Sequence, residues 1–293
     1  MRSDQTTALL HCQQQPDAVD NRFILICDAR IDNRDELQDQ LPGFKKATGT
    51  FTDADITLAA FRKWGYESPQ HLIGDFAFVL WDREKQTLFA ARDGMQMRTL
   101  SFARVDGTLC LASEGQQLLG HPRIRPKISE LGMTGWLSGW PDLGVSLFDG
   151  IEVLPAGHSL VADAHGVTVS KFWDIDPEYR IRYRQISDYQ EHLEALLYRC
   201  VLDRMHSSSN TIATQMSGGM DSTSVTALAS REAAKHHTNL VVISHSYSAT
   251  ESCDETDRIH ETLRHLNIQD SRFLAAEQHA HLDFRMLYPP TLE

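Results

Sequence analysis

Met216-Ser217-Gly218-Gly219-Met220-Asp221-Ser222 decides the reading of this chain. Residues 211–216 read as a buried strand and residues 222–235 as a helix, so the string occupies the turn between them. Two adjacent glycines let the backbone bend sharply and bring its N–H groups against a ligand. The helix behind them aims its positive end at the same place. Ser217 and Ser222 add hydroxyls, and Asp221 can hold a Mg²⁺ that bridges phosphates. These parts together suit the pyrophosphate of a nucleotide. The string is neither G-x-x-x-x-G-K-[ST], since no lysine follows the glycines, nor the dinucleotide pattern G-x-G-x-x-G. A bare Ser-Gly-Gly is usually an ordinary βα turn with a serine cap; the complete string between strand and helix favours the phosphate reading.

Working outward, Tyr189, Leu193, Leu196, Leu197, Cys200, Val201 and Met205 trace an amphipathic helix ahead of the phosphate turn. Behind it follow a strand at 240–246, a helix at 255–266 and a short strand at 272–275. This β-α-β-α-β alternation predicts a parallel sheet with helices packed on it. The first half has another character. Residues 23–27 and 74–82 read as buried strands, the latter apolar on both faces and hence covered on both sides. Residues 53–64 predict a helix, with Asp53 and Asp55 at its start and Gly65 at its end. Strands follow at 87–91 and 108–112, with Asp106-Gly107 as a hairpin turn. Residues 154–158 mark a turn, and 167–173 read as a closing strand. Residues 174–187 are polar and contain Pro177, which places the linker there and divides the chain into domains 1–175 and 186–293.

Composition excludes several classes. The 293 residues carry 28 Lys and Arg against 40 Asp and Glu, a net charge of −12, which argues against a nucleic-acid partner. The five cysteines form no C-x-x-C pair and are odd in number, so free thiols in a reducing cytoplasm are expected. No apolar run approaches a membrane span and residues 1–15 show no signal core, so no membrane association is expected. His236-His237 and His279-x-His281 read as solvated rather than metal-binding. Trp136 and Trp140 are expected in a core or at a domain interface.

The motif resembles the S-G-G-[LIM]-D-S signature of N-type ATP pyrophosphatases, and asparagine synthetases and their relatives match best. Downstream, Asp254-Glu255 resembles the acidic pair that opens the next helix in those enzymes; upstream, residues 199–205 resemble A-V-x-x-R-L. The first half resembles class-II glutaminase domains, beginning near Arg22. Asp28-Ala29-Arg30-Ile31-Asp32-Asn33-Arg34-Asp35-Glu36-Leu37 is similar to N-G-E-I-Y-N-x-x-E-L, and Thr52-Asp53-Ala54-Asp55 to S-D-x-E. Gly74-Asp75-Phe76-Ala77-Phe78-Val79-Leu80-Trp81-Asp82 is similar to G-x-F-A-F-x-x-W-D, and Ala91-Arg92-Asp93 to A-R-D. Ala112-Ser113-Glu114 with Leu118-Leu119 resembles A-S-E-x-K-A-L-L, and Leu154-Pro155-Ala156-Gly157-His158 with Phe172-Trp173 resembles L-P-P-G-H … Y-W. The order and spacing hold over almost the whole chain.

The resemblance implies an α+β Ntn-hydrolase-like (glutaminase type 2) sandwich, followed by an α/β Rossmann-like ATP-pyrophosphatase domain that is incomplete. It implies ATP and Mg²⁺ as cofactors, bound by Met216, Ser217, Gly218, Gly219, Asp221 and Ser222, with Asp221 on the Mg²⁺. It implies that a carboxylate substrate attacks ATP to give an acyl-adenylate and pyrophosphate, and that an amine then displaces AMP. A later S-G-x-G-x-D-E loop and a catalytic lysine of the family have no counterpart here. The glutaminase chemistry needs a cysteine directly after the initiator Met, whereas this chain opens Met1-Arg2-Ser3 and its first cysteine is Cys12. Asp28-Ala29-Arg30 stands where the family has N-G-E for the glutamine amide, and Asp53 is either the remaining glutamine-site carboxylate or a helix cap. No glutamine hydrolysis is therefore expected. The substrate is then free aspartate or, favoured by Arg30-Ile31-Asp32-Asn33-Arg34 and the missing thiol, a carboxylate on a peptide or specialised metabolite, as in lasso-peptide macrolactam cyclases and β-lactam synthetases. A homodimer is the assembly considered. The competing reading is a non-catalytic nucleotide-binding remnant.

Overall fold

The computed structural model describes residues 16–41, 51–139, 144–207, 209–247 and 254–275. The chain divides into two compact units, Met1–Tyr179 and Arg180–Glu293.

The first unit is built on a six-stranded sheet. Its strands are β1 (Ala18–Val19), β2 (Phe23–Ile31), β3 (Gly74–Asp82), β4 (Thr87–Arg92), β8 (His158–Asp163) and β9 (Gly166–Lys171), hydrogen-bonded in the order β1-β2-β3-β4-β8-β9. Every neighbouring pair is antiparallel. Strand β3 is central, and its alternation sorts two cores. Phe76, Phe78 and Leu80 join Leu25, Ile31 and Phe89 against helix α2 (Asp53–Trp64), whose Ile56, Ala60 and Phe61 face them. Ala77 and Val79 point the other way and pack with Leu88, Ala90 and Leu160 against Leu100, Phe102, Leu109 and Leu154. These last residues belong to, or flank, a second antiparallel sheet of β5 (Ser101–Val105), β6 (Thr108–Ala112) and β7 (Ile151–Val153), in the order β6-β5-β7. Its outer side carries Ala103, Cys110 and Ile151 against Leu118 of the short helix α3 (Gly115–Leu118). Helix, sheet, sheet and helix thus stack as the sandwich expected from sequence.

Local chemistry explains the boundaries. Thr52 caps α2 in a reciprocal box: its hydroxyl accepts from the Asp55 N–H, while the Asp55 carboxylate accepts from the Thr52 N–H. Gly65 closes the helix at φ 58°. The Asp106-Gly107 turn has φ 47° and 75°, the pairing that a two-residue hairpin requires. Gly157, at φ 63°, accepts the N–H groups of Phe172 and Trp173 on its carbonyl, and a side chain there would strike the Trp173 backbone. The Trp173 ring covers Gly94 in the same way.

The structure also departs from expectation. Strand β2 runs on through Asp28 and Arg30 to Ile31 rather than ending at residue 27, because the charged side chains alternate away from the face that packs on α2. Helices α1 (Arg34–Gln40) and α4 (Glu130–Leu137) were not expected. Trp136 lies on α4 and is half exposed, which takes it out of any core; Trp140 and His279-x-His281 lie outside the described residues.

The second unit is a three-stranded parallel sheet of β10 (Thr211–Gln215), β11 (Asn239–Ser246) and β12 (Ser271–Ala275). Helix α6 (Met220–His236) connects the first two strands and α7 (Thr256–His265) the last two. Two such crossovers in strand order put both helices on one face. There Val201, Ala229, Ala233 and Leu240 form one cluster, with Val201 contributed by α5 (Ile186–Arg204). Met216, Val242, Ile259 and Leu263 form another. Met205 also packs here, as the helix periodicity required. The α/β class is as expected.

Candidate functional site

The turn 217–222 lies at the carboxyl end of parallel strand β10, where open α/β sheets place their ligands. Strand β10 was expected to be buried, but its residues are exposed or half-buried in alternation, and Met216 just behind it is the buried one: its N–H reaches the Ile243 carbonyl at 3.0 Å and its side chain has no exposed surface. It was expected to touch the nucleotide; the structure places it beneath the turn, packed on Val242, Ile259 and Leu263. Beyond it the chain surfaces. Ser217, Met220 and Asp221 are exposed, while Gly218, Gly219 and Ser222 are half-buried.

The shape of the turn is held from inside. Ser222 Oγ accepts from the Ser217 N–H at 3.1 Å and lies 3.2 Å from Ser217 Oγ. The same hydroxyl reaches the Gly219 carbonyl at 3.3 Å. Gly218 adopts φ +81°, a conformation that side chains resist, and a Cβ there would sit 3.1 Å from Glu255 Cβ on the incoming end of α7. Glycine is thus required twice, for the bend and for the approach of α7. Gly219 is the N-cap of α6 and supplies no side-chain acceptor, so the first N–H groups of α6 stay open for an outside acceptor. The Asp221 carboxylate stands on that first turn, exposed.

Across the turn, Asp254 accepts from the Thr256 hydroxyl at 2.6 Å and from the Tyr247 N–H at 3.1 Å, and the hydroxyl bond chiefly holds its carboxyl below the usual range. Asp254 therefore fixes the start of α7 and ties it to the end of β11. Sequence reading noted the acidic pair, but not that Glu255 and Arg258 would flank Gly218. The approach of α7 to Gly218 is set by how the helix packs on the sheet, for which the local sequence carries no signal. Ser217, Gly218, Gly219, Asp221 and Ser222 are brought together as expected. An uncapped helix end, two hydroxyls and an exposed carboxylate fit a Mg²⁺-bound pyrophosphate, since Mg²⁺ commonly takes one or two protein carboxylates and completes its shell with phosphate and water. Among the described residues no cluster of three or more His, Cys, Asp or Glu could hold a metal by itself.

The glutamine-site positions of the first unit look different. Asp53 does not cap α2; Thr52 does. Asp53 Oδ1 instead accepts from the Ile31 N–H at 2.8 Å and from Arg34 Nη2 at 2.5 Å, joining α2 to the end of β2. Arg30 Nε donates to Asp32 Oδ1 at 3.0 Å, and Asp32 is buried. Arg98 Nε lies 3.2 Å from Asp28 Oδ1 as an ion pair without hydrogen-bond geometry. The loop bearing Arg98 is organised by Asp93, 1% exposed, whose carboxylate accepts from the N–H groups of Met95, Met97 and Arg98, each at 3.0 Å. The adjacent thiol, Cys27, is pushed up to about 12, first by burial and then by Asp17, Asp53, Asp28 and Asp55. A thiol so placed stays protonated and is a poor nucleophile.

Comparison with known proteins agrees with both halves. A glutamine amidotransferase domain model matches residues 6–173, reaching upstream of Arg22, and an asparagine synthase model matches residues 192–286. The chain is 24% identical over 209 residues to asparagine synthetase [glutamine-hydrolyzing] 3 of Bacillus subtilis, covering 71% of this chain and 34% of the relative. It is 27% identical over 209 residues to amidase chyE of Penicillium rubens, covering 70% of this chain and 30% of that one. The chain spans about a third of the length of these curated relatives. Among solved structures, glutamine phosphoribosylpyrophosphate amidotransferase of B. subtilis in complex with ADP and GMP aligns over 87% of this chain and 62% of its own, at 13% identity and a TM-score of 0.36. With an amidotransferase domain matched over more than half its length and an asparagine synthase match directly behind it, the chain belongs to the asparagine-synthetase family of glutamine amidotransferase-type proteins.

Proposed function

We propose that the chain is an ATP-dependent amide ligase of the asparagine-synthetase type, which activates a carboxylate as an acyl-adenylate, releases pyrophosphate and passes the acyl group to an amine. The observation that carries this reading is the exposed, uncapped turn at the end of β10, with Gly218 at φ +81° and Asp221 on the first turn of α6. Its backbone N–H groups, Ser217 and Ser222 would hold the pyrophosphate of ATP, and Asp221 its Mg²⁺. What ATP supplies is a leaving group that turns an unreactive carboxylate into an acyl donor.

The amine, on this reading, comes from the acceptor substrate and not from glutamine. The support is the internal pairing of Asp28, Arg30 and Asp53, which leaves no carboxylate at those positions unengaged for a glutamine α-amino group. A carboxylate on a peptide or specialised metabolite is then favoured over free aspartate, as in a lasso-peptide cyclase or a β-lactam synthetase. The three described cysteines, Cys27, Cys110 and Cys200, are free thiols, in keeping with a reducing cytoplasmic setting. Among the described residues, no helix is long and apolar enough to cross a membrane.

The test is carboxylate-dependent exchange of labelled pyrophosphate into ATP. Exchange stimulated by peptide carboxylates and unaffected by glutamine supports the proposal. Nucleotide binding with no exchange against any carboxylate replaces it with the nucleotide-binding remnant, and glutamine-dependent ammonia release overturns the assignment of the first unit.

A further inference from the structure

The geometry points to Arg258 as the cation that meets the pyrophosphate on the 217–222 turn. This rests on the nucleotide reading of that turn and adds to it a residue that the motif does not contain. The turn offers N–H groups and hydroxyls, but its one charged side chain, Asp221, is negative. Glu255 stands against the turn at the start of α7, its Cβ 3.1 Å from where a Gly218 Cβ would sit, so a polyanion arriving here meets a second carboxylate. A Mg²⁺ ion offsets part of that charge. A positive side chain is needed for more, and the P-loop type of lysine is absent from the string.

Between Arg204 and Arg264 the sequence contains three Lys or Arg residues: Arg231, Lys235 and Arg258. The first two are committed elsewhere. Lys235 Nζ lies 2.6 Å from Glu232, a carboxylate with almost no exposed surface, and both cations also lie over the Tyr198 ring. At about 1.5 Å of rise per residue, Arg231 is roughly 16 Å along α6 from its first turn. Arg258 is placed quite differently. Its Cβ is 3.5 Å from the position a Gly218 Cβ would take, so the side chain starts against the turn itself. Its side chain is 74% exposed and Nη1 lies 3.3 Å from Glu255 Oε1, one helical turn back.

That pairing is the kind that lets go. An exposed i, i+3 ion pair contributes little to stability, so its exchange for a phosphate costs little. A guanidinium also presents a planar fork that fits two phosphate oxygens at once, with shorter and stronger bonds than to neutral acceptors. Glu255 thus parks Arg258 beside the turn, and a pyrophosphate takes it over. No covalent step is involved.

The experiment is calorimetric titration of the full 293-residue chain with Mg²⁺-pyrophosphate, Mg²⁺-ATP and AMP. Arg258→Ala is expected to weaken pyrophosphate and ATP about tenfold or more, leave AMP unchanged and leave the melting temperature unchanged. Arg258→Lys, which keeps the charge and loses the fork, is expected to retain part of the affinity. Glu255→Gln is expected to tighten pyrophosphate about two- to fivefold by freeing the guanidinium. Wild-type affinity in Arg258→Ala for both pyrophosphate-containing ligands overturns the role of Arg258 while leaving the nucleotide site standing. An equal loss for AMP also overturns it. If the wild-type chain binds none of the three, the nucleotide reading falls and takes this inference with it.

Discussion

Two regions of the chain stand where the family binds small molecules, and they differ in what their polar groups are doing. In the first unit, Asp53 is held by Arg34 and the Ile31 N–H, Arg30 by Asp32, and Asp28 by Arg98. These charges answer one another. In the second unit, the turn 217–222 is held by its two serine hydroxyls and by bonds from Thr223 and Ser224 of α6 to its carbonyls, and it leaves Asp221 and the first N–H groups of α6 to whatever comes from outside. The first region's charges are spent largely on one another, whereas the second keeps a helix end and a carboxylate open to the outside, and that openness carries the proposed difference between a binding site and a structural remnant.

The comparison can be broken in four ways. The largest effect concerns Cys27. Raised from 9.0 to about 12, its thiol is expected to alkylate about a thousandfold more slowly in the folded chain than in urea, read by mass spectrometry of the Cys27 peptide. Fast labelling in the native protein would put a live nucleophile beside the first region. Next is Asp221→Ala, expected to reduce pyrophosphate exchange about a hundredfold or more with the melting curve unchanged, since the residue is exposed. Retained exchange would strip the second region of its special status. Third, Arg34→Ala and Asp53→Asn should each cost about 1.5–3 kcal/mol of unfolding free energy for the first unit, and the double variant less than their sum, because they share one bond. Additive costs in denaturant titrations would mean that the pair is not a structural tie.

The smallest effect is a pH dependence. Arg22, bonded to Asp82 at 2.7 Å, chiefly holds that carboxyl below its ordinary value against the opposing pull of burial. A carboxyl lowered in the folded state stabilises at pH above its unfolded value. That contribution is lost as pH falls through the folded value, below the usual carboxylate range. Asp82→Asn should therefore flatten the acid limb of the stability curve of the first unit, and an unchanged limb would remove Asp82 from the account.

Much of this was legible because several levels of the chain agree. Residues 53–64 combine acidic residues in the first turn, one apolar face and a glycine directly behind, and α2 has those bounds. Residues 74–82 are apolar on both faces, and β3 is covered on both. Where the signals conflict, reading failed. Helix α4 holds two glycines, Gly132 and Gly135, which weaken helix propensity, and Gly132 is there because the Ser146 backbone leaves no room for a Cβ. Helix α1 buries only Leu37 and so shows no apolar stripe. Strand β5 begins with Ser101, a polar residue that is nonetheless buried in the sheet. At the site, the motif announced its own residues but not that Met216 would face inward or that α7 would bring Arg258 to Gly218. Those facts depend on which side of the sheet α7 packs, which no local pattern states.

All five tryptophans, Trp64, Trp81, Trp136, Trp140 and Trp173, fall before residue 180, in the first of the two units. Trp173, lodged over Gly94 and Gly157, reports on the closing strand of that unit. Intrinsic indole emission therefore originates in the first unit, which does not contain the turn 217–222. Circular dichroism, by contrast, registers the backbone of both units.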